Sequence, residues 1–396
     1  MLRALLAFVV APIVLGIVIV LVLANTPWGN ERVRRIVVSQ ANQRLTGRLA
    51  IAGLRGSLLS RATLTGVELV DSAHNPVFSA RRVEVRYGLW SALRGHVVVK
   101  SLALDTAFVL LDKRPGSRWN FQTLVRASGT PKDTSQRRPP PELGDITIRH
   151  GRFLYRRPWQ PDSTLPADRR DAAIAAALLS TARSRTERVP GGFQRVLEYH
   201  DIDARIPVVQ LAQQGRPIAV EIASLSMIGE PYRPPVMDVR SLIGTIYATR
   251  DSLWWRGARV SFPGSRVVAD GRVGLNKTGL AVSLVGAPIA LADLRWLNPK
   301  LPPGGGGKLH FTMRSHGDTA EYAFSDADVR YRDASVLGGG ALTRIHPPGG
   351  TTRMVVRGAD LTVARLTTAV LHELLPSLTL RRTGTIDGHI TLSGDA

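Results

Sequence analysis

The sequence contains no cysteine among its 396 residues. A disulfide framework, a thiolate metal site and a cysteine nucleophile are therefore excluded, and thiol content says nothing about compartment. Aromatic residues are scarce, at 6%. Trp119-Asn120-Phe121, Trp159 and Trp254-Trp255 stand too far apart, with Gly and Pro between them, to predict a stacking ladder for single-stranded nucleic acid. Lysine is confined to Lys100, Lys113, Lys132, Lys277, Lys300 and Lys308, so the positive charge is nearly all arginine. Acidic residues are outnumbered 31 to 52, leaving a net charge of +21. Such basicity usually marks a nucleic-acid binder. Here the arginines are dispersed rather than gathered into a stripe, which predicts solvated strand faces and attraction to anionic lipid headgroups, with no nucleic-acid partner.

Familiar catalytic patterns are also missing. The run Gly304 to Gly307 before Lys308 is not a phosphate loop, because Leu309 stands where Ser or Thr would hold magnesium and a strand pattern follows. No GxSxG, GxGxxG or HExxH occurs, and His372-Glu373 lacks a second histidine. Of the scattered histidines, only His310 and His316 come near each other. Asp326 and Asp328 read as a solvated loop pair rather than a catalytic dyad or calcium site. The expectation is a protein with no catalytic residues, no cofactor and no metal site.

What is present begins with an uncharged apolar run, Ala4 to Ala24. At about 1.5 Å per residue it is long enough for a hydrocarbon core about 30 Å thick. Pro12 and Gly16 are tolerable within a spanning helix, and Trp28 is placed like an interfacial anchor. A cleaved signal peptide is the rival, with Val22 and Ala24 as small-residue sites, but the run exceeds the usual core of about 7 to 15 residues. Arg32, Arg34, Arg35, Arg44 and Arg48 favour a cytoplasmic C-terminal side by the positive-inside rule, although long domains translocate regardless of flanking charge.

Beyond the anchor, Val33, Ile36, Val37, Ala41 and Leu45 recur at helical spacing between Asn30 and Gly47. The period then changes to two. Val83, Val85 and Tyr87 alternate with Arg82, Glu84 and Arg86, and Ile146 and Ile148 alternate with Thr147 and Arg149. Further alternating sets are Val267, Ala269, Gly271, Val273 and Leu275, then Leu309, Phe311 and Met313, and last Ile386, Gly388, Ile390 and Leu392. Each predicts a half-buried antiparallel strand. The 37 Gly and 25 Pro agree with many short strands joined by turns, and 44% hydrophobic residues suffice for a sizeable core.

Three segments interrupt this pattern. Ser128 to Leu143 reads as a Pro-rich charged linker, Asp168 to Glu187 as a basic helix with Ile174, Leu178 and Ala182 on its apolar side, and Val363 to Leu375 as a helix turning Leu366, Val370 and Leu374 inward. A loose internal echo joins residues 263–313 to residues 337–392. The expected domains are a stub over 1–3, an anchor over 4–24, a β region over 25–126, a linker and helical insert over 127–200, and β-groove repeats over 201–396 that continue beyond the chain.

One order of residues carries a resemblance. Leu64-Thr65-Gly66-Val67-Glu68-Leu69-Val70-Asp71 is followed by Pro76-Val77-Phe78-Ser79-Ala80, the strand Val83 to Tyr87, the helical turn Leu89 to Gly95, strands from Val97 to Leu111 and Trp119-Asn120-Phe121. Preceded by a single anchor and Thr26-Pro27-Trp28-Gly29, this resembles the amino-terminal part of the AsmA-like superfamily, of the AsmA, TamB and YhdP type. The later run from Phe262-Pro263-Gly264-Ser265 through Asp270-Gly271, Leu291-Ala292-Asp293-Leu294, Pro299 and Leu301-Pro302 is similar to TamB-type repeats. About half of the chain takes part, and the arginine-rich stretch between residues 127 and 200 departs from the pattern.

The resemblance implies a single-pass inner-membrane protein with the bulk of the chain in the periplasm, projecting a β-rich groove and moving phospholipid or helping to assemble the outer membrane. The expected fold is mainly β, an elongated, curled antiparallel sheet forming a groove or β-taco, with a few short helices and one N-terminal transmembrane helix. A curled sheet without an opposing layer would leave an open apolar trough that lipid chains could fill. Its lining candidates are Val83, Val85, Tyr87, Ile146, Ile148, Val267, Val273, Leu275, Leu309, Phe311, Met313, Ile386, Ile390 and Leu392. A closed sandwich predicts the same alternation. The expected partners are phospholipid, the inner membrane and an outer-membrane β-barrel protein, the last engaged by strand-edge pairing in an alternative reading.

Overall fold

The computed structural model describes residues 27–56, 61–88, 98–126, 142–211, 216–275, 279–345, 353–370 and 384–395. The apolar run Ala4 to Ala24, most of the Pro-rich linker, the turn Leu89 to Gly95 and Leu374 lie outside the described residues. No helix among the described residues is long and apolar enough to cross a membrane. The chain is mainly β, an unclosed and largely antiparallel sheet with few helices, and it divides into two compact units.

The first unit is drawn from Met1–Gln160, Ser184–Pro231 and Tyr247–Arg250. Helix α1 (Pro27–Arg44) leads into the antiparallel meander β1 (Arg48–Arg55), β2 (Arg61–Val70), β3 (Pro76–Tyr87) and β4 (Val98–Asp112). Val33 and Val37, four residues apart, bury one side of α1 against β1 and β2, while Arg32 and Arg35 face water. Ile36 departs from the expected inward set, being 42% exposed. Its position, next to Val37 and three from Val33, turns it past the edge of the packed stripe. The Asn42 side chain donates to the Leu49 carbonyl at 3.1 Å and accepts from its N–H at 2.7 Å, which fastens the helix end to β1. Leu49, Leu69, Val99 and Leu124 form the deepest part of this core.

The expected insert over residues 127–200 is largely strand. β5 (Glu142–Trp159) runs parallel to β4, the one parallel pairing described, and antiparallel to β7 (Gly192–Gln210). β6 (Thr186–Val189) forms a hairpin with β7, and β8 (Ile218–Ile222) and β9 (Ser224–Glu230) pair with successive stretches of β7. Glu198 on β7 accepts from Arg152 at 2.8 Å and from Arg185 at 3.1 Å. Burial raises its pKa, but the two guanidiniums outweigh burial and leave it below the ordinary carboxylate value. A depressed carboxyl stabilises the fold above its unfolded pKa near 4.5, and that gain is lost as pH falls through the lower folded value. Glu198→Gln should therefore cost about 1 kcal/mol at neutral pH. In unfolding titrations, its difference from the parent should close on acidification.

The second unit comprises Pro161–Arg183, Tyr232–Ile246 and Asp251–Ala396. Helix α2 (Ala167–Leu178) is shorter than the expected Asp168 to Glu187, because Thr186 to Val189 already belong to β6 and Ala182 lies beyond the helix end. Ile174 and Leu178 are only half-buried. Arg183 holds the segment after α2 in place by donating to the carbonyls of Arg233, Pro234 and Trp296. After β10 (Met237–Val239) and β11 (Ser241–Ala248) comes a long meander: β12 (Ser252–Ser261), β13 (Arg266–Gly274), β14 (Leu280–Ala290), β15 (Gly306–His316), β16 (Thr319–Tyr331), β17 (Ala334–Ile345), β18 (Arg353–Thr367) and β19 (Thr385–Asp395). From β12 onward each strand pairs antiparallel with the next.

The glycine run at the start of β15 serves close packing of backbones. A Cβ on Gly306 would stand 2.0 Å from the Ile289 carbonyl oxygen, and one on Gly307 would stand 1.7 Å from that of Asp328. The expected helix from Val363 is a strand as far as Thr367, with helix only from residue 368 among the described residues. Leu366 and Val370, two of the three residues expected inward, are buried, but Leu366 is so as part of a strand with a bulge between Val363 and Leu366. Asp326 and Asp328 sit within β16, at and beside a bulge.

A recurring device shapes these sheets. At three bulges a residue with positive φ (His150 at 51°, Gly257 at 58°, Arg365 at 51°) donates its N–H to an aspartate on the neighbouring strand. The acceptors are Asp203 at 3.0 Å, Asp270 at 2.8 Å and Asp387 at 2.7 Å. Each carboxylate satisfies the N–H that the interrupted ladder leaves over, and each bulge increases the local twist. Asp270→Ala should cost about 1 kcal/mol. Faster amide exchange confined to Gly257 and its neighbours is the measurement that checks it.

Candidate functional site: an apolar sheet face

Residues opposite one another in an antiparallel ladder point to the same face. Following the register across the second unit, Trp255 pairs with Gly271, Gly271 with Val282, Val282 with Met313, Met313 with Tyr322, Tyr322 with Leu342 and Leu342 with Val356. A second row runs through Ala269, Leu284, Phe311, Phe324, Gly340, Ala359 and Leu392. Leu253, Val273 and Leu280 form a flanking row on one side, and Val260, Val267, Gly286 and Leu309 one on the other. One face of seven consecutive strands is thereby apolar. Gly271 is needed within it because a Cβ there would lie 2.1 Å from the Trp255 ring, which is laid flat across the strand.

The reverse face carries Arg272, Arg314 and Glu321 in one row and Asp270, Ser283 and Thr312 in another. His310 on this face lies 3.0 Å from the Ser283 hydroxyl and 3.3 Å from that of Ser325. Val268 and Val285 are apolar exceptions, paired with each other and exposed.

Burial separates this face from an ordinary core. Its alanines, Ala258, Ala269 and Ala359, are buried beneath larger neighbours, whereas Trp255, Val273, Leu280, Val282, Leu284, Phe311, Met313, Tyr322, Phe324 and Leu342 are only half-buried. Among the described residues none of these large side chains belongs to a buried cluster. The face is closed at one end, where Ala334, Val363, Leu366 and Val370 pack together with Tyr331, Leu361 and Ile390 against them. Among the described residues no buried cluster covers the rest of this face, and a half-buried apolar surface is a favourable environment for other apolar groups.

The expected lining residues divide accordingly. Val267, Val273, Leu309, Phe311 and Met313 are on the apolar face. Val83, Val85 and Tyr87 are not groove residues: they are buried in the first unit's core together with Val33, Leu64 and Val99, and burial pushes the Tyr87 hydroxyl up to about 12. Alternation alone cannot tell a strand covered by a helix from one left open. Ile146 packs against that core, and Ile148 is half-buried opposite Leu104 and Ala204. Leu275 falls in the turn after β13 and is 47% exposed. On β19, Ile390 joins the closed end, while Ile386 and Leu392 are exposed. The sequence reading missed Trp255, Leu280, Val282, Leu284, Tyr322, Phe324, Leu342 and Val356. Alternation in Leu280-Ala281-Val282-Ser283-Leu284 was the available signal, whereas the bulge after Phe324 hides the pattern in β16.

The aromatic residues are also brought closer than their spacing suggested. In the first unit Trp119 meets Tyr155 at 5.5 Å between ring centroids, Tyr155 meets Phe153 at 6.4 Å and Phe153 meets Tyr199 at 6.0 Å. Trp159 meets Phe193 edge-on at 6.0 Å. The Phe153–Tyr199 and Trp159–Phe193 contacts arise because these residues are direct partners across β5 and β7, which could not be inferred from the separated Trp positions. Among the described residues no group of three or more His, Asp or Glu side chains could hold a metal ion. Compared with family models, with curated proteins and with solved structures, the chain matches none.

Proposed function

We propose that this protein is a membrane-anchored conduit that carries phospholipid between the inner and outer membranes across the periplasm, and so contributes to outer-membrane biogenesis. The observation that carries this reading is the in-register apolar face of β12 to β18, whose large side chains remain half-buried with no opposing cluster among the described residues. Keeping one methylene from water is worth about 0.8 kcal/mol, so an acyl chain of about 16 carbons would cost more than about 10 kcal/mol to carry bare through an aqueous gap. An apolar floor offsets most of that cost at every step without chemistry. The N-terminal run Ala4 to Ala24 suits an inner-membrane anchor, with the remaining chain in the periplasm. Scattered arginines on the polar face suit attraction to anionic headgroups.

The test is native mass spectrometry of the full chain released from a detergent that does not exchange lipid. Copurified phospholipid is the expected result, and a lipid-free protein from membranes rich in phospholipid would sink the proposal. A second reading has one observation in its favour. β19 pairs antiparallel with β18, and its residues from Thr385 to Gly394 are exposed except for Ile390. Such an exposed strand suits strand addition to an outer-membrane β-barrel protein during its assembly. A stable complex with a barrel that contains no lipid would favour this alternative.

A further inference from the structure

The second unit holds a cleft of about 520 Å³ where β13 and β15 end and β14 and β16 begin, lined by residues of the polar face and by Leu280 and Ser315 at the strand ends. Arg272, Ala281, Arg314, His316 and Glu321 line it, with Gly279 at the turn leading into β14. The register places Arg272 beside Ala281 and Ala281 beside Arg314. Two guanidinium side chains therefore rise from the same face with only a methyl group between them. Neighbouring strands are about 4.8 Å apart, so these two backbones stand roughly 10 Å from each other, a span that two arginine forks can close around one tetrahedral oxyanion.

Two further observations point the same way. Arg314 stands directly opposite Glu321 in the ladder, yet the two form no ion pair, and among the described residues neither Arg272 nor Arg314 has a carboxylate partner. Other arginines of this unit do reach a neighbouring carboxylate, as Arg330 does with Asp328 at 3.2 Å and Arg240 with Asp238 at 2.8 Å. Lining Gly279 and Ala281 leave the space between the cations unfilled. Like charges held together around a cleft are stabilised by an anion that both can share.

We infer that this cleft binds a phosphoryl group, held between the Arg272 and Arg314 guanidiniums on the face opposite the apolar rows. The inference does not rest on lipid filling those rows. A phosphoryl group could come from a lipid headgroup or from free phosphate, and two probes separate the sources: inorganic phosphate, and glycerophosphoglycerol as a headgroup without acyl chains. Each is titrated calorimetrically into the full chain in detergent, at ionic strength held constant with sodium chloride.

Saturable binding of at least one probe is expected. The double variant Arg272→Gln/Arg314→Gln should weaken it roughly ten- to hundredfold. Glu321→Gln removes a negative charge from the lining and should tighten binding several-fold, which provides an independent reading if the double variant fails to fold. Tighter binding of the diester assigns the site to headgroups, and tighter binding of phosphate assigns it to the free ion. No saturable binding of either probe, equal affinity in a folded double variant, or unchanged affinity in Glu321→Gln would overturn the inference. Bound lipid measured in the same preparations reports on the conduit separately.

Discussion

Phe311→Asp and Val273→Asp, made singly, should each reduce copurified phospholipid by about tenfold or more while leaving the strand content intact. Phe311 lies between Leu284 and Phe324, and Val273 between Leu253 and Leu280, so either carboxylate would open toward acyl chains on every side. An ionised carboxylate cannot be left in hydrocarbon, and water drawn in to solvate it would break the continuity of the floor. The expected stability cost is small, about 1–2 kcal/mol, because both side chains are only half-buried in the protein itself. Two comparisons make the result interpretable. Val285→Asp, on the reverse face and exposed, should leave bound lipid unchanged, whereas Val83→Asp, in the first unit's core, should unfold that core outright. Lipid content equal to the parent's in both floor variants would remove the central support for the conduit.

A comparably large effect, on folding alone, is expected for Asn120→Leu. The Asn120 side chain is buried at the start of a short 3-10 turn, where its oxygen accepts from the N–H groups of Asp112 and Phe121 at 3.1 and 3.0 Å. Its amide donates to the Leu110 carbonyl at 2.7 Å. Gln194 completes the network by donating to the Asp112 carboxylate at 2.6 Å and to the Lys113 carbonyl at 2.8 Å. Leucine keeps the heavy-atom number and branching of asparagine, but it strands three buried backbone groups. At about 1–3 kcal/mol for each unsatisfied group, the expected destabilisation is about 3–9 kcal/mol. Urea unfolding followed by amide exchange in β4 and β7 would measure it. A loss below about 1 kcal/mol would mean that water replaces the asparagine and that the network is not dry.

Strand content was legible in the sequence wherever the alternation ran unbroken, as in Val83 to Tyr87 and Val267 to Val273. It failed at bulges, because one extra residue shifts every later side chain by one place and turns a period of two into an apparent period of three. That is why β5 was not followed beyond Ile148, with the next interruption at Gly151. The apolar floor was half legible: residues on β13 and β15 stood out, while their partners on β12, β16 and β17 are visible only once register is known. Nothing local distinguished Val85 from Val273. Their difference lies in what covers them, α1 and the segment through Leu124 in one case and no described cluster in the other.

The aspartates that accept from bulged N–H groups have a consequence for how such a chain can change in length. An odd insertion within a strand would exchange oily and charged sides from that point to the next turn, so tolerated growth must come as whole up-and-down pairs of strands. An added pair can bring its own kinked residue and acidic latch across the seam, as Arg365 has in Asp387. A lineage built on this plan would extend its reach in modular increments, keeping the oily lane unbroken from one module to the next.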